Sequence, residues 1–155
     1  MRRAESSSFT VSGQLCFAAY SASRAITASY RAGLAAIGLT YSQYVVMLVL
    51  WEHDSVTLGY LCEQVHLDSG TLSPLLKRLE RQGWITRRRR LQDERTLEVA
   101  CTRAGAELSE RAQAVQHSVE LATGLTPAEV ARLRDELQEL AARLRANPEF
   151  DAAVG

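Results

Sequence analysis

The segment from Asp68 to Gly83, DSGTLSPLLKRLERQG, constrains the fold of this chain more than any other. Its leucines recur at helical spacing and form one apolar stripe, at Leu72, Leu75, Leu76 and Leu79. We predict a helix from about Ser69 to Gln82 that stops with Gly83 in the C′ position. Pro74 is unfavourable beyond the first turn, so we expect this helix to start late or to be irregular there.

Two candidate strands follow this helix. Apolar Leu97, Val99 and Cys101 alternate with less apolar neighbours, which predicts a strand. The preceding WITRRRR is a plausible partner strand, with LQDER as the connecting tip. Helices followed by a two-stranded ribbon are typical of a winged helix-turn-helix, which we expect at about residues 41–102.

Further helices are indicated by their capping residues. Thr40 and Gln43 form a capping box that starts a helix running to about His53. Thr57 is placed to cap a short helix that ends near Val65. The fold class is therefore mostly α with a small β-wing.

Longer helices are predicted near both ends of the chain, at about residues 12–34 and 104–146. The final one begins with Thr126, Pro127 and Glu129, which supply N-cap, N1 and N3 signals together. It carries a seam that suits a partner helix, at Val130, Leu133, Leu137, Leu140 and Leu144. We expect residues 1–155 to form a single domain that dimerises, because we do not expect one protomer to bury both sets of helices.

The basic charge of the chain is concentrated around the predicted ribbon. The whole chain has a formal net charge of zero, yet residues 77–95 hold eight basic and three acidic residues, a net charge of +5. Such a patch contacts nucleic-acid phosphates. We assign base and phosphate contacts to the polar side of the leucine-striped helix and to the wing, with Asp93 orienting Arg95 toward the minor groove: Ser69, Thr71, Ser73, Lys77, Arg78, Arg87, Arg88, Arg89, Arg90, Asp93 and Arg95.

The odd cysteine count, three, does not indicate a disulfide framework. We find no secretory segment near Met1 and no apolar run long enough to cross a membrane, so we expect a reducing cytoplasm, in which thiols remain free. Cys16 lies in GQLCFAAY, and those eight residues do not decide whether it packs or reacts.

Four segments, LCFAAYSASRAITASY, LTYSQYVVMLVLWEH, LDSGTLSPLLKRLERQGWITR and DERTLEVACTRAG, resemble the organic-hydroperoxide-sensing repressors (OhrR) of the MarR family. The resemblance covers about residues 13–110. It implies a homodimer with interlocked N- and C-terminal helices that binds pseudo-palindromic double-stranded operator DNA. It also implies that organic hydroperoxides oxidise Cys16 and so release the DNA, and that Tyr30 and Tyr41 of the partner subunit hydrogen-bond its sulfur.

The chemistry of these residue types agrees with that expectation. The thiolate, not the thiol, attacks a peroxide, and phenol O–H groups stabilise an anion by donating hydrogen bonds to it. Tyr41 also occupies the positive N-terminal end of its helix. Tyr20 and Phe17 are expected to line an apolar pocket that suits an organic hydroperoxide.

The other cysteines are expected to pack. Some members of this branch use a second cysteine on the helix after the wing, but the region around Leu121 has none. We therefore expect a one-cysteine sensor whose sulfenic acid reacts with a low-molecular-weight thiol. Cys62 and His66 have the spacing of half a metal site that nothing completes, so we predict neither a metal nor a cofactor.

Two alternatives stay open at this stage. A MarR-type repressor could respond to a non-covalently bound phenolic ligand, with Cys16 incidental. A thiol peroxidase would be an enzyme, but it would leave the basic wing unexplained.

Overall fold

The structure, a computed structural model, describes residues 9–90 and 93–147. A short 3-10 turn, Val11–Gly13, precedes six helices, which are α1 Leu15–Ala36, α2 Tyr41–Glu52, α3 Leu58–Val65, α4 Ser69–Arg81, α5 Arg103–Ala122 and α6 Pro127–Arg145. The strands are β1 Ser55–Thr57, β2 Ile85–Arg90 and β3 Asp93–Cys101. The expected fold class, mostly α with a small β-wing, is confirmed.

Two compact units divide the chain between Gln116 and His117, so that α5 runs from the first unit into the second. The first unit holds the core, in which α2, α3 and α4 pack with β2 and β3. Its largest fully buried side chains are Leu34, Val46, Met47, Leu50, Leu61, Leu72, Leu76, Leu79, Ile85 and Val99. The predicted leucine stripe of α4 therefore faces this core.

The sheet has three antiparallel strands in the order β1-β3-β2. The wing pairs Ile85 with Cys101 and continues to Arg89 opposite Leu97, beyond which the register shifts. Strand β1 was not predicted, because three residues are too short to show an alternating pattern. The predicted tip was too long, since β3 already begins at Asp93.

Helix α1 begins at Leu15, three residues later than predicted. The hydroxyl of Thr10 accepts a hydrogen bond from the Gly13 N–H and closes the 3-10 turn there. Gln14 is then extended, so the α-helical hydrogen bonds start only after it.

Helix α4 begins at Ser69 and runs through Pro74, so the expected late start was wrong. Asp68 caps the helix, accepting from the Thr71 N–H at 2.8 Å. Pro74 has no N–H to donate to the Gly70 carbonyl, but both residues are exposed. The missing donor is tolerated because it lies near the exposed start of the helix.

The predicted capping residues are confirmed. Thr40 and Thr126 form complete capping boxes with Gln43 and Glu129, and Thr57 caps α3. Gly83 has a φ of +80°, which a glycine adopts without strain, and follows α4 in the C′ position.

Among the described helices, no single one is long and apolar enough to cross a membrane. Helices α1 and α2 reach that length and composition only as a pair, and they are bent by 77° relative to one another.

Candidate functional site

Cys16 is the second residue of α1, and its thiol is free and exposed. The apolar side chains around it are exposed as well: Leu15 is 65%, Phe17 46% and Tyr20 57% accessible. Within one protomer, the apolar side chains at the beginning of α1 are therefore not buried.

A cluster of tyrosines lies where the second half of α1 meets α2. The rings of Tyr30 and Tyr41 are in edge contact, with centroids 5.5 Å apart. Tyr44 stacks on Tyr30 at 5.5 Å, and its hydroxyl donates to Oε1 of Gln116 at 3.2 Å. Sequence reasoning missed Tyr44, although its position three residues after Tyr41 places the two rings on adjacent parts of one helix face.

Within one protomer, Cys16 lies far from this tyrosine cluster. Cys16 and Tyr30 lie on the same helix and differ by 14 positions, which corresponds to about 21 Å along the axis at the usual rise. The structure thus brings Tyr30 and Tyr41 together and keeps Cys16 at the far end of α1.

Phe17 and Tyr20, the predicted pocket residues, line an open groove of about 310 Å³ together with Ser21, Arg24 and Ala25. The guanidinium carbon of Arg24 lies 5.6 Å from the centre of the Tyr20 ring, a cation–π distance. All five lining residues belong to α1, and Arg24 gives the groove one basic side chain.

The other two cysteines pack against the core, as predicted. Burial raises the pKa of the Cys101 thiol from 9.0 to about 11, so this thiol stays protonated and unreactive near neutral pH. Within the described residues, no three His, Cys, Asp or Glu side chains are grouped to hold a metal ion. Cys62 and His66 are accordingly not completed as a site there.

The polar side of α4 carries the predicted contact residues. Ser69, Thr71, Lys77 and Arg78 are exposed, and Ser73 is partly so. The Thr71 hydroxyl donates to Oδ2 of Asp68 at 2.8 Å, an arrangement that the sequence pattern did not predict. Hydrogen bonds from the Thr71 backbone and hydroxyl hold the pKa of the Asp68 carboxyl below its ordinary value.

The wing arginines differ from one another. Arg87 donates from Nε and Nη2 to Oε2 of Glu80 on α4, at 2.9 and 2.5 Å, and only 19% of its side chain is exposed. Arg87 therefore connects the wing to α4 through Glu80, and its assignment as a DNA contact stays a prediction. Arg88 and Arg89 are exposed, whereas the side chains of Arg90, Asp93 and Arg95 lie outside the described part of the chain.

Comparison with known proteins identifies the family. The model of the family described as transcriptional regulator SarA/Rot matches residues 29–112. The organic hydroperoxide resistance transcriptional regulator of Bacillus subtilis is 48% identical over 99 residues, which are 64% of this chain and 67% of that protein. This chain belongs to the MarR family, in its branch of organic hydroperoxide resistance regulators.

Solved structures of MarR-type regulators agree in fold. Reduced and overoxidised AbfR, both bound to DNA, each match with 37% identity and a TM-score of 0.71, over 86% of this chain and 94% of theirs. A further structure, of AbfR of Staphylococcus epidermidis, gives 34% identity and a TM-score of 0.73, over 88% of this chain and 95% of that one. The chain is thus a redox-sensing transcriptional repressor with a winged helix-turn-helix, and not an enzyme.

Proposed function

We propose that this MarR-type repressor acts in the cytoplasm as a homodimer that binds operator DNA and releases it when an organic hydroperoxide oxidises Cys16. The observation that carries the proposal is the exposed thiol on an uncovered apolar helix, whose own tyrosine cluster lies about 21 Å further along. These two features complement one another only between two copies of the chain.

A second copy supplies what one protomer lacks. If two α1 helices pack antiparallel, the Cys16 end of each lies beside the Tyr30–Tyr41 end of the other. Apolar area at Leu15, Phe17 and Tyr20 then leaves water, which favours association. Helix α6 also presents exposed leucines, at Leu133, Leu137 and Leu144, which suits the predicted helix-to-helix seam.

Oxidation proceeds in two balanced steps. The Cys16 thiolate attacks one peroxide oxygen, an S–O bond forms, the O–O bond breaks, and the alkoxide takes a proton to leave as an alcohol. The resulting sulfenic acid then reacts with a small thiol to give a mixed disulfide and water. A small thiol is required because the region around Leu121 contains no cysteine to act instead.

The DNA contacts follow from the exposed polar residues. Helix α4 presents Ser69, Thr71, Lys77 and Arg78 to the major groove, while its leucines stay in the core. For the wing we assign backbone and minor-groove contacts to the exposed Arg88 and Arg89, and on the sequence alone also to Arg90, Asp93 and Arg95. In a dimer, two α4 helices must span half-sites about 34 Å apart, so a change at α1 that alters their separation releases the DNA.

A gel shift tests this function. The probe is a duplex that the parent protein selects from a random pool, with and without cumene hydroperoxide, and intact mass follows Cys16. We expect peroxide to release the parent but not Cys16→Ser, while the control Cys62→Ser responds like the parent. Release of Cys16→Ser by peroxide would show that the sensing thiol lies elsewhere.

A second candidate is a MarR-type repressor that binds a phenolic ligand. It is favoured by an open groove of about 530 Å³ beside Tyr41, lined also by Thr27, Arg31, Ala35, Leu39 and Thr40. A simple phenol that releases DNA equally from the parent and from Cys16→Ser would establish this candidate instead.

A further inference from the structure

Three helix ends meet on one side of the first unit. Helix α1 ends in a turn in which Gly38, with a φ of +80°, donates its N–H to the Ala35 carbonyl at 3.1 Å. Helix α2 begins at Tyr41, three residues after Gly38, with Thr40 as its N-cap. The end of α4, at its C-cap Gln82, reaches the same place through side-chain hydrogen bonds.

Gln43 connects two of these ends. Its Oε1 accepts from the Thr40 N–H at 2.9 Å, which completes the capping box of α2. Its Nε2 donates to Oε1 of Gln82 at 3.1 Å, across 39 positions of sequence. Gln43 is only 5% exposed, so losing either bond would leave a buried polar atom without a partner.

Gln82 makes the remaining hydrogen bonds between these helix ends. Its Nε2 donates to the Gly38 carbonyl at 3.0 Å, and its backbone N–H donates to the Arg78 carbonyl at 3.0 Å. The amide orientations are consistent, because each glutamine accepts through oxygen and donates through nitrogen. A continuous path of hydrogen bonds thus joins the start of α2, where Tyr41 lies, to the last turn of α4, where Arg78 lies.

Helix capping alone does not require this path. The capping box of α2 uses the oxygen of Gln43 and makes no demand on Gln82. Helix α4 ends through backbone bonds of its own, from Gly83 N–H to the Glu80 carbonyl and from Trp84 N–H to the Leu79 carbonyl. Gln82 is also exposed, so burial does not force its side chain to find a protein partner.

We propose that the Gln43–Gln82 bridge couples the sensing tyrosines to the DNA-reading helix, with Gln82 as a positioning residue for Arg78. The inference rests on the proposed function, since Tyr41 is the residue expected to contact the sensing sulfur. Displacement of Tyr41 shifts Thr40 and Gln43, and Gln82 carries that shift to the end of α4. Without the bridge, a movement of α2 shifts the end of α4 by less.

The test measures the response to oxidation rather than affinity alone. Parent, Gln82→Ala and Gln43→Glu are compared in their reduced and cumene-hydroperoxide-treated states on the duplex selected by the parent. Gln43→Glu keeps the oxygen that caps α2 and loses the nitrogen that donates to Gln82. Gln113→Ala, at an exposed glutamine of α5, is the matched control.

We expect the ratio of reduced to oxidised affinity to fall about fivefold in Gln82→Ala, the scale of one lost hydrogen bond. The ratio should fall similarly in Gln43→Glu, while Gln113→Ala keeps the parental ratio. Intact mass should show Cys16 oxidised to the same extent in all four proteins. A purely structural bond would lower affinity in both states and leave the ratio unchanged.

A parental ratio in Gln82→Ala overturns the coupling while leaving the proposed function intact. A parent protein that does not respond to peroxide refutes the proposed function itself, and the inference with it. The two failures are therefore distinguishable in one experiment.

Discussion

Helices α4 and α1 both carry apolar stripes, but only α4 has its stripe covered. Leu72, Leu76 and Leu79 of α4 are buried in the core and Leu75 is partly buried against it, whereas Leu15, Phe17 and Tyr20 in the first half of α1 are exposed. The winged head, which is the winged helix-turn-helix from α2 to β3, can thus complete its core within one protomer. The beginning of α1 cannot bury its apolar side chains in that way. The proposed sensing thiol, Cys16, lies on the region that needs a second surface, so we expect a chemical change there to act on assembly without unfolding the head.

The largest effect should follow from opening the core of the head. We expect Leu76→Ala to lower the free energy of unfolding by about 2–5 kcal/mol, because it leaves a cavity under α4. Leu15→Ala, at an exposed position of α1, should change protomer stability by less than about 0.5 kcal/mol. Urea titrations at low protein concentration measure the free energy of unfolding of both variants. Equal losses would contradict the difference between the covered stripe of α4 and the exposed stripe of α1.

The next effect tests how closely the head is packed. A Cβ on Gly105 would lie 2.0 Å from the Trp84 carbonyl oxygen, a backbone atom that cannot move aside cheaply. We therefore expect Gly105→Ala to cost about 1–3 kcal/mol. Gly59→Ala is the control, since its Cβ would make only an ordinary contact, with the Thr57 Oγ1 at 4.0 Å, and should be neutral or slightly stabilising. Equal stability of the two variants would contradict close packing at Gly105.

A smaller effect should appear on the uncovered region. Phe17→Ser should raise the dimer dissociation constant about tenfold, because less apolar area is removed from water on association. Ser23→Ala, on the same helix, serves as the control and should leave it unchanged. Sedimentation equilibrium measures the constant, and an unaltered value for Phe17→Ser would remove α1 from the interface.

The smallest effect concerns the thiol inside the head. The pKa of Cys101 is raised to about 11 by burial, so the unfolded chain loses this proton first as the pH rises. The contribution of the buried, protonated Cys101 thiol to the free energy of unfolding is fully present below about pH 9 and is lost as the pH rises through 11. Urea midpoints of the parent should therefore fall more steeply above pH 9 than those of Cys101→Ala. Parallel curves would show that Cys101 is not shielded from water.

Local signals in the sequence were sufficient for much of the fold. The leucine stripe of α4, the capping boxes at Thr40 and Thr126 and the glycine after α4 all depend on neighbours within a few residues. Such interactions repeat at helical spacing, so the sequence displays them directly. The paired strands of the wing were predictable for the same reason, although the boundaries of the tip were not.

Contacts between distant residues needed the tertiary structure. Glu80 and Arg87 are on different elements, and only packing of the wing on α4 decides that Arg87 turns inward. Tyr44 joins Tyr30 and Tyr41 because α1 and α2 cross there.

The sequence by itself therefore determined the helices, their caps and the basic wing, and through its resemblance it predicts Cys16 as the sensing thiol. Only the tertiary structure decided that the tyrosines gather at the opposite end of α1 from Cys16 and that Gln43 meets Gln82. The physical reason is that caps and stripes are properties of adjacent turns, whereas these meetings depend on how whole helices cross.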